Sequence, residues 1–451
     1  RMQLNMVAWG AIQPAIRHRS LRCVLPYRST LRALLAPGGA SQAGSRPNRP
    51  CFVLALGVIG GFWGLVFGAS VCVADAGLVV GSSLFHERGG PLRMTVVMPR
   101  ASAAVDLGEP VKLHVGWSAD IVSGASVAVV DASAANVDAI STATLHDTRH
   151  VFNGGLTLRD GTSSVAMNYT HAFENDYRSD AFAVTARTEL FDHNTSLEVT
   201  YARAFDRVCD IGGSFDPVMK PRLETSKGCF TDDKAHTARP LAIHNFQAGV
   251  TQALTPLLTS QLTLLAQVMH GFQSNPYRAV RIGKTAAQEY MPADRARYAL
   301  GAGLRYWIVP ASAALSVDGR AYRDTWGITS LSGELAYDQK LFGEVRLRAH
   351  GRYYTQGEAT FYSDDYILAP RGRYFTGDRE LSPMRSVLFG LSLRWTAPSD
   401  ESGVVLGFLS RFELVVKGDI LKSFFDDFHY DRAEVPNTLA QVVSLELRAG
   451  F

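Results

Sequence analysis

The chain has 451 residues, 47% of them hydrophobic, and a formal net charge of +3. Mean hydropathy near zero excludes a bundle of membrane-spanning helices, but not a β-barrel, whose strands bury only alternate residues in lipid. The positive charge is confined to the first fifty residues, which hold arginines and no acid, so the mildly acidic remainder gives no sign of nucleic-acid binding.

Residues 1–50, beginning with Arg1, read as an Arg-rich upstream extension outside the mature protein. An incomplete or mis-started reading frame accounts for them better than an organelle transit peptide, because a secretory signal follows. Arg46 and Arg49 precede an apolar run from Phe52 to Ala69 that ends in Ala74-Asp75-Ala76. Residues 51–76 therefore read as a secretory signal peptide cleaved after Ala76 or Ala74. A membrane anchor is the competing reading, and the glycines within the run weigh against it. Residues 77–108 read as an N-terminal periplasmic segment, and 109–451 as the folded domain.

Cys23, Cys51 and Cys72 lie in or before the leader, leaving Cys209 and Cys229. Two cysteines in an exported chain read as one disulfide, worth roughly 3 kcal/mol by loop-closure entropy.

Beyond residue 109, apolar residues alternate with polar ones in short stretches. These fall at 111–117, 152–158, 165–169, 182–186, 197–201, 246–250, 262–268, 300–306, 315–321, 331–337, 345–353, 387–395, 412–416 and 443–451. Period-two alternation marks strands with one greasy and one wet face. The links between them alternate in length. Tight turns are expected at 160–162, 191–194, 255–256, 309–312, 338–341 and after Thr396. Longer loops are expected at 119–148, 174–178, 206–242, 271–296, 323–328, 355–383 and 420–437. Short periplasmic turns and long extracellular loops describe an all-β, antiparallel, up-and-down transmembrane barrel of about fourteen strands in the bacterial outer membrane. A soluble β-sandwich would not require this alternation. Trp117, Tyr169, Tyr201, Tyr306, Tyr337, Tyr353 and Trp395 read as aromatic girdles against outer-membrane lipid. Phe451, closing the last alternating strand, resembles the terminal signal read by the barrel-assembly machinery.

The alternate residues should line the lumen. Glu344, Arg346, Arg348, His350 and Arg352 form the most charged ladder. Asp318, Arg320, Glu334 and Asp338 lie to one side, and Arg394, Arg411, Glu413, Lys417, Glu446 and Arg448 to the other. In lipid each charge would cost roughly 2–4 kcal/mol near the midplane. Arg320, Glu344, Arg346, Arg348 and Arg352 are accordingly the candidate selectivity residues of a pore. The competing reading is a set of cross-strand ion pairs that closes the interior. Segment 119–148, rich in Ala, Ser and Val, is either a plug folded into the mouth or a surface loop.

Two loops carry aromatic–acidic clusters, 361–366 and 424–430. Their carboxylates match no calcium-loop spacing, so loop packing is the default. No hydrolase, zinc-protease or nucleotide-binding motif occurs, and neither the His146/His150 pair nor His350 sits in a catalytic pattern. The chain is expected to be neither an enzyme nor a cofactor protein.

The run Gly271-Phe272-Gln273-Ser274-Asn275-Pro276-Tyr277-Arg278, then Glu289-Tyr290-Met291-Pro292 and Arg295-Ala296-Arg297, resembles an uncharacterised family of bacterial outer-membrane proteins, domain of unknown function 3570. Arg352-Tyr353-Tyr354-Thr355-Gln356, the segment 359–362, and Asp120 with Ser123-Gly124-Ala125 share the likeness, which spans roughly 105–451. Asn275, Pro276, Tyr277 and Arg278 are its most distinctive motif. The resemblance implies no assigned activity. It does imply a gene neighbourhood of flavin-transferase and thioredoxin-like proteins, and hence an extracytoplasmic redox setting. Two functions follow as expectations. One is a pore or transporter for a small solute; the other is a non-conducting barrel that scaffolds a periplasmic or surface complex.

Overall fold

In the computed structural model the described residues are 73–90, 92–125, 147–174, 177–210, 230, 237–274, 279–282, 285–364, 372–399, 405, 407–430 and 433–451. The chain divides into two units, Arg1–Pro50 and Cys51–Phe451, and every described residue belongs to the second.

Strands β1 (Val73–Gly89), β2 (Leu92–Leu107), β3 (Val111–Ala125), β4 (Asp147–Asp160), β5 (Ser163–Phe173), β6 (Tyr177–Leu190), β7 (Thr195–Asp210), β8 (Thr237–Thr255) and β9 (Leu258–Gly271) form the first part of a sheet. The sheet continues through β12 (Asp294–Ile308), β13 (Ala313–Asp324), β14 (Thr329–Lys340), β15 (Val345–Gln356), β16 (Met384–Thr396), β17 (Arg411–Phe425) and β20 (Asn437–Gly450). Hairpins β10 (Ala279–Ile282)–β11 (Thr285–Gln288) and β18 (His429–Tyr430)–β19 (Ala433–Glu434) stand apart, within two of the links. The 16 sheet strands close into an antiparallel barrel. The closing seam pairs β1 with β20 from Gly77↔Gly450 to Arg88↔Leu439. Closure removes sheet edges, as lipid requires of any strand that spans it. Among the described residues no helix is long and apolar enough to cross a membrane.

All fourteen alternating stretches are strands. The two additional strands are β1 and β2, in the segment expected to be periplasmic, 77–108; β1 begins at Val73, inside the stretch read as leader. Their alternation is blurred because both faces carry apolar residues. Leu78, Val80 and Leu84 face outward, while their neighbours Val79 and Phe85 and the β2 residues Met94, Val96 and Met98 share the inner face. Period-two reading needs a mostly polar inner face, and here Glu87 and Arg100 stand among apolar residues.

The outer face is apolar along the middle of the strands and carries polar residues such as His171, Asp180 and Arg203 toward the extracellular end. In β16, Val387, Phe389, Leu391, Leu393 and Trp395 alternate with inward Ser386, Leu388, Gly390, Ser392 and Arg394, and Phe389 is 68% exposed in the isolated chain. Aromatic pairs stand directly opposite on neighbouring strands, with Tyr169 and Phe182 rings 4.9 Å apart and Tyr201 and Phe246 5.0 Å apart. Such cross-strand ring contacts fix register beyond the burial of area.

Links at 108–110, 161–162, 191–194, 256–257, 309–312 and 341–344 are short, as a periplasmic side requires. The β4–β5 turn is closed by Gly161 at φ 55°, a left-handed conformation that glycine takes without a Cβ penalty. The link after Thr396 is longer than expected: it runs over 397–410, and Ala397, Val405 and Leu409 pack there against Phe412 and Ala449. On the other side, 126–146, 211–236, 272–293, 357–383 and 426–436 are long, whereas 90–91, 174–176 and 325–328 are short. Of the 119–148 segment, residues up to Ala125 extend β3, and 126–146 lie outside the described residues.

Candidate functional site in the barrel lumen

Strand register assigns the inner face. Starting from the lipid-facing Val416, Leu391, Leu335 and Leu300, the alternate positions on β12 to β17 and β20 point inward, and they hold many charged residues. On the opposite wall, β4 to β9 present Asn153, Asn168, Thr185, Thr200, Asn245 and Gln267 at the corresponding level. These neutral groups satisfy one another: Thr185 and Thr200 hydroxyls lie 2.9 Å apart, and Gln267 donates to Asn245 at 2.6 Å. The same wall also turns charge inward, with Arg159 on β4 and with Arg187 and Glu189 on β6, and Arg187 stands directly opposite Glu198 on β7.

On the wall from β12 to β20 some groups are neutralised. Arg348 donates to Asp338 at 2.8 Å and lies 3.4 Å from Glu334, and Arg305 approaches Asp338 at 3.8 Å. Lys417 and His350 both meet Asp419, at 2.9 and 3.4 Å. Arg448 is 2.5 Å from Glu446 and 3.8 Å from Glu413, and Arg411 and Arg100 bind the same two carboxylates. Others are not neutralised. Of the candidate selectivity residues, Arg320, Arg346 and Arg352 face inward and make no ion pair among the described residues, as does Arg394. Glu344 sits in the turn before β15, outside the strand ladder to which the sequence assigned it.

The extracellular mouth carries a feature that the sequence concealed. Loop 357–383, which joins β15 to β16, reaches across to β1. There Arg379 grips Glu87 through two bonds of 2.9 and 2.8 Å. Burial pushes the Arg379 guanidinium down, but the Glu87 carboxylate more than offsets this, so the net shift is upward. Asp378 caps the short 3-10 turn that presents Arg379, accepting from the Glu380 amide at 3.0 Å. The loop is tied on both sides. Tyr290 and Phe375 exchange backbone bonds of 3.0 and 2.9 Å, Thr376 donates to Glu289 at 2.7 Å, and the Thr360 amide donates to the Trp326 carbonyl at 2.9 Å. Met291, Trp326, Ile328, Ala359, Tyr362 and Leu381 form an apolar cluster beneath it. Sequence reading placed Glu87 outside the barrel and so had no partner to offer Arg379.

Beside this strap a cavity of about 550 Å³ opens at the rim, lined by Arg295, Trp326, Phe361, Arg373 and Tyr374 among others. Arg373 lies over the rings of Tyr290 and Tyr374 at 5.7 and 5.6 Å.

The two aromatic–acidic clusters meet. Tyr362 donates to the Asp427 carbonyl at 2.6 Å, and Asp364 lies 3.1 Å from the His429 ring. Burial raises the Asp364 carboxyl, with the Asp427 charge adding to it and the His429 amide opposing; burial also raises the Tyr362 phenol. Asp364, Asp427 and His429 place donor atoms within 4.8 Å of one another, the one such group among the described residues that could hold a metal ion.

Cys209, at the extracellular end of β7, is buried and disulfide-bonded; Cys229, its expected partner, lies outside the described residues. Asn275, Pro276, Tyr277 and Arg278 also lie outside them. His150 stacks between Trp117 and Phe173, at 6.3 and 5.4 Å, on the lipid-facing side, and His146 lies outside the described residues.

Among solved structures, the chain is similar to a loop-deletion mutant of OmpT from Vibrio cholerae, an outer membrane protein. Identity is 10%, coverage is 84% of this chain and 99% of that one, and the TM-score is 0.39. It is also similar to a bacterial polysaccharide outer membrane secretin (8% identity, 83% and 98% coverage, TM-score 0.45). A third similar structure is Pseudomonas aeruginosa OccK2 in complex with glucuronate (8% identity, 84% and 98% coverage, TM-score 0.38). At these TM-scores the similarities carry no argument about what enters the lumen. No curated protein matches in sequence. Over residues 74–402 the chain matches the family described as Protein of unknown function (DUF3570), and this barrel of the bacterial outer membrane belongs to that family.

Proposed function

We propose that the barrel is a pore for small solutes and favours anions. The observation that carries this reading is the set of inward arginines that make no ion pair among the described residues, Arg320, Arg346 and Arg352; Glu334, directly opposite Arg352, is 3.4 Å from Arg348 instead. An interior built only for closure would pair its charges, because each unpaired cation in a lumen of reduced dielectric raises the energy of the fold. A water-filled passage keeps such groups hydrated and uses their field to select ions. The reading assigns no catalysis and no bound cofactor.

Leader-free protein refolded into planar bilayers should give uniform single-channel steps. In a salt gradient the reversal potential should show anion preference, and R346E/R352E should move it toward cations. Uniform steps with a reversal potential unchanged by R346E/R352E would remove these arginines from selectivity. A folded barrel that carries no current would sink the pore and favour the scaffold.

A further inference from the structure

We infer that Lys340, Arg346 and Arg394 form a binding site for a multiply charged oxyanion of the phosphate class at the periplasmic end of the lumen. The inference rests on the pore reading and names the class of solute it would take.

The three residues share one row of the ladder. Lys340 ends β14 and stands directly opposite Arg346 on β15; Arg346 in turn stands directly opposite Arg394 on β16. All three occupy inward positions. Residues opposed in an antiparallel ladder hold their Cβ atoms about 4.5–5.5 Å apart, where like charges repel. Here three cations stand side by side.

The nearby carboxylates are committed elsewhere. Asp338, one inward position above Lys340, takes Arg348 at 2.8 Å and Arg305 at 3.8 Å. Glu413, opposite Thr396, takes Arg411 and lies 3.8 Å from Arg448. Glu446 takes Arg448 at 2.5 Å and also Arg100. The residue opposite Arg394 on β17 is Val415. Glu344, exposed in the preceding turn, makes no ion pair among the described residues.

The row is therefore an array of donors, two of them guanidinium forks, and its nearest carboxylate, Glu413, attracts Arg394 but is already bonded to Arg411. A phosphate-class anion offers several acceptor oxygens to such forks and enough charge to offset the repulsion; a halide offers neither the geometry nor the valence.

The test is calorimetric titration of the refolded, leader-free barrel with pyrophosphate at fixed ionic strength, with heat-modifiable electrophoretic mobility reporting the fold. Wild type should bind saturably. R346Q/R394Q should bind at least about tenfold more weakly, since each lost charge-assisted contact carries roughly that factor. K340Q should show a smaller loss, and R385Q, whose charge pairs with Asp426 at the other mouth, should match wild type. Absence of saturable binding to wild type, or equal affinity in folded R346Q/R394Q, overturns the site. Planar bilayers separate the two proposals. Pyrophosphate binding by a barrel that carries no current keeps the site and removes the pore. Steady current without pyrophosphate binding removes the site and keeps the pore.

Discussion

Asp324 shows how much one carboxylate can organise. Its side chain is fully buried, and Arg295, 3% exposed, donates to it at 2.9 and 2.5 Å. The same carboxylate accepts the Tyr322 hydroxyl at 2.9 Å and the Trp326 and Ile328 amides at 3.0 and 2.9 Å. It thereby shapes the 325–328 turn and sets the Arg295 guanidinium 3.9 Å over the Trp326 ring. Asp324→Ala would leave Arg295 buried without a counter-charge, and the barrel should lose about 3–5 kcal/mol. Urea unfolding in lipid vesicles measures this. Asp426→Ala, which breaks the half-exposed pair with Arg385, should cost no more than about 1 kcal/mol. A similar midpoint for both variants would remove Asp324 as the organiser of this mouth. Neither residue was legible as a pair, because Asp324 fell in the stretch 323–328 read as a loop and Arg295, 29 positions away, in the loop read over 271–296.

Among elements, the strap 357–383 is the part whose role depends most on its partners. Its 3-10 turn is fixed by local chemistry, with Asp378 at the cap and the Ser382 amide and hydroxyl returning to the Arg379 carbonyl at 3.2 and 2.6 Å. Its position across the mouth is fixed by the Arg379–Glu87 pair, both side chains largely buried. Glu87→Gln leaves the turn intact and removes the charge that holds it. The strap should then open more often, which limited proteolysis reads as faster cleavage after Arg373, and single-channel current as larger or more frequent steps. Unchanged cleavage would mean that the Tyr290–Phe375 and Thr376–Glu289 contacts hold the loop without Glu87. Hairpin β1–β2 gives the same lesson from the sequence side. Its residues are strand-forming, but Val79, Phe85, Met94, Val96 and Met98 stand beside Glu87 and Arg100 on the inner face, so the alternation that revealed the other strands is blurred.

For the whole molecule, closure is the main event. The β1–β20 seam joins the two ends of the sheet, and the Phe451 amide donates to the Ala76 carbonyl at 2.8 Å. Phe451 itself is 52% exposed, so its ring adds little to the packed structure. If it acts as an assembly signal, Phe451→Ala should lower the fraction of folded barrel in outer membranes several-fold while leaving refolding in detergent unchanged. Heat-modifiable mobility of membrane fractions and of refolded protein checks both arms. Equal loss in both would assign Phe451 to stability instead.

The sequence by itself determined the barrel and, in fourteen of its strands, which residues face inward or outward. Lipid and lumen act on each residue separately, so their contrast is written locally, two positions at a time. The tertiary structure decided the rest: the strands from 73 to 107, the strap anchored on Glu87, the meeting of the two aromatic–acidic loops, and which lumen cations are neutralised. Arg346 and Arg348 look alike in the sequence. Register places Arg348 opposite Asp338 and Arg346 between Lys340 and Arg394, and the pairing of three strands sets that register.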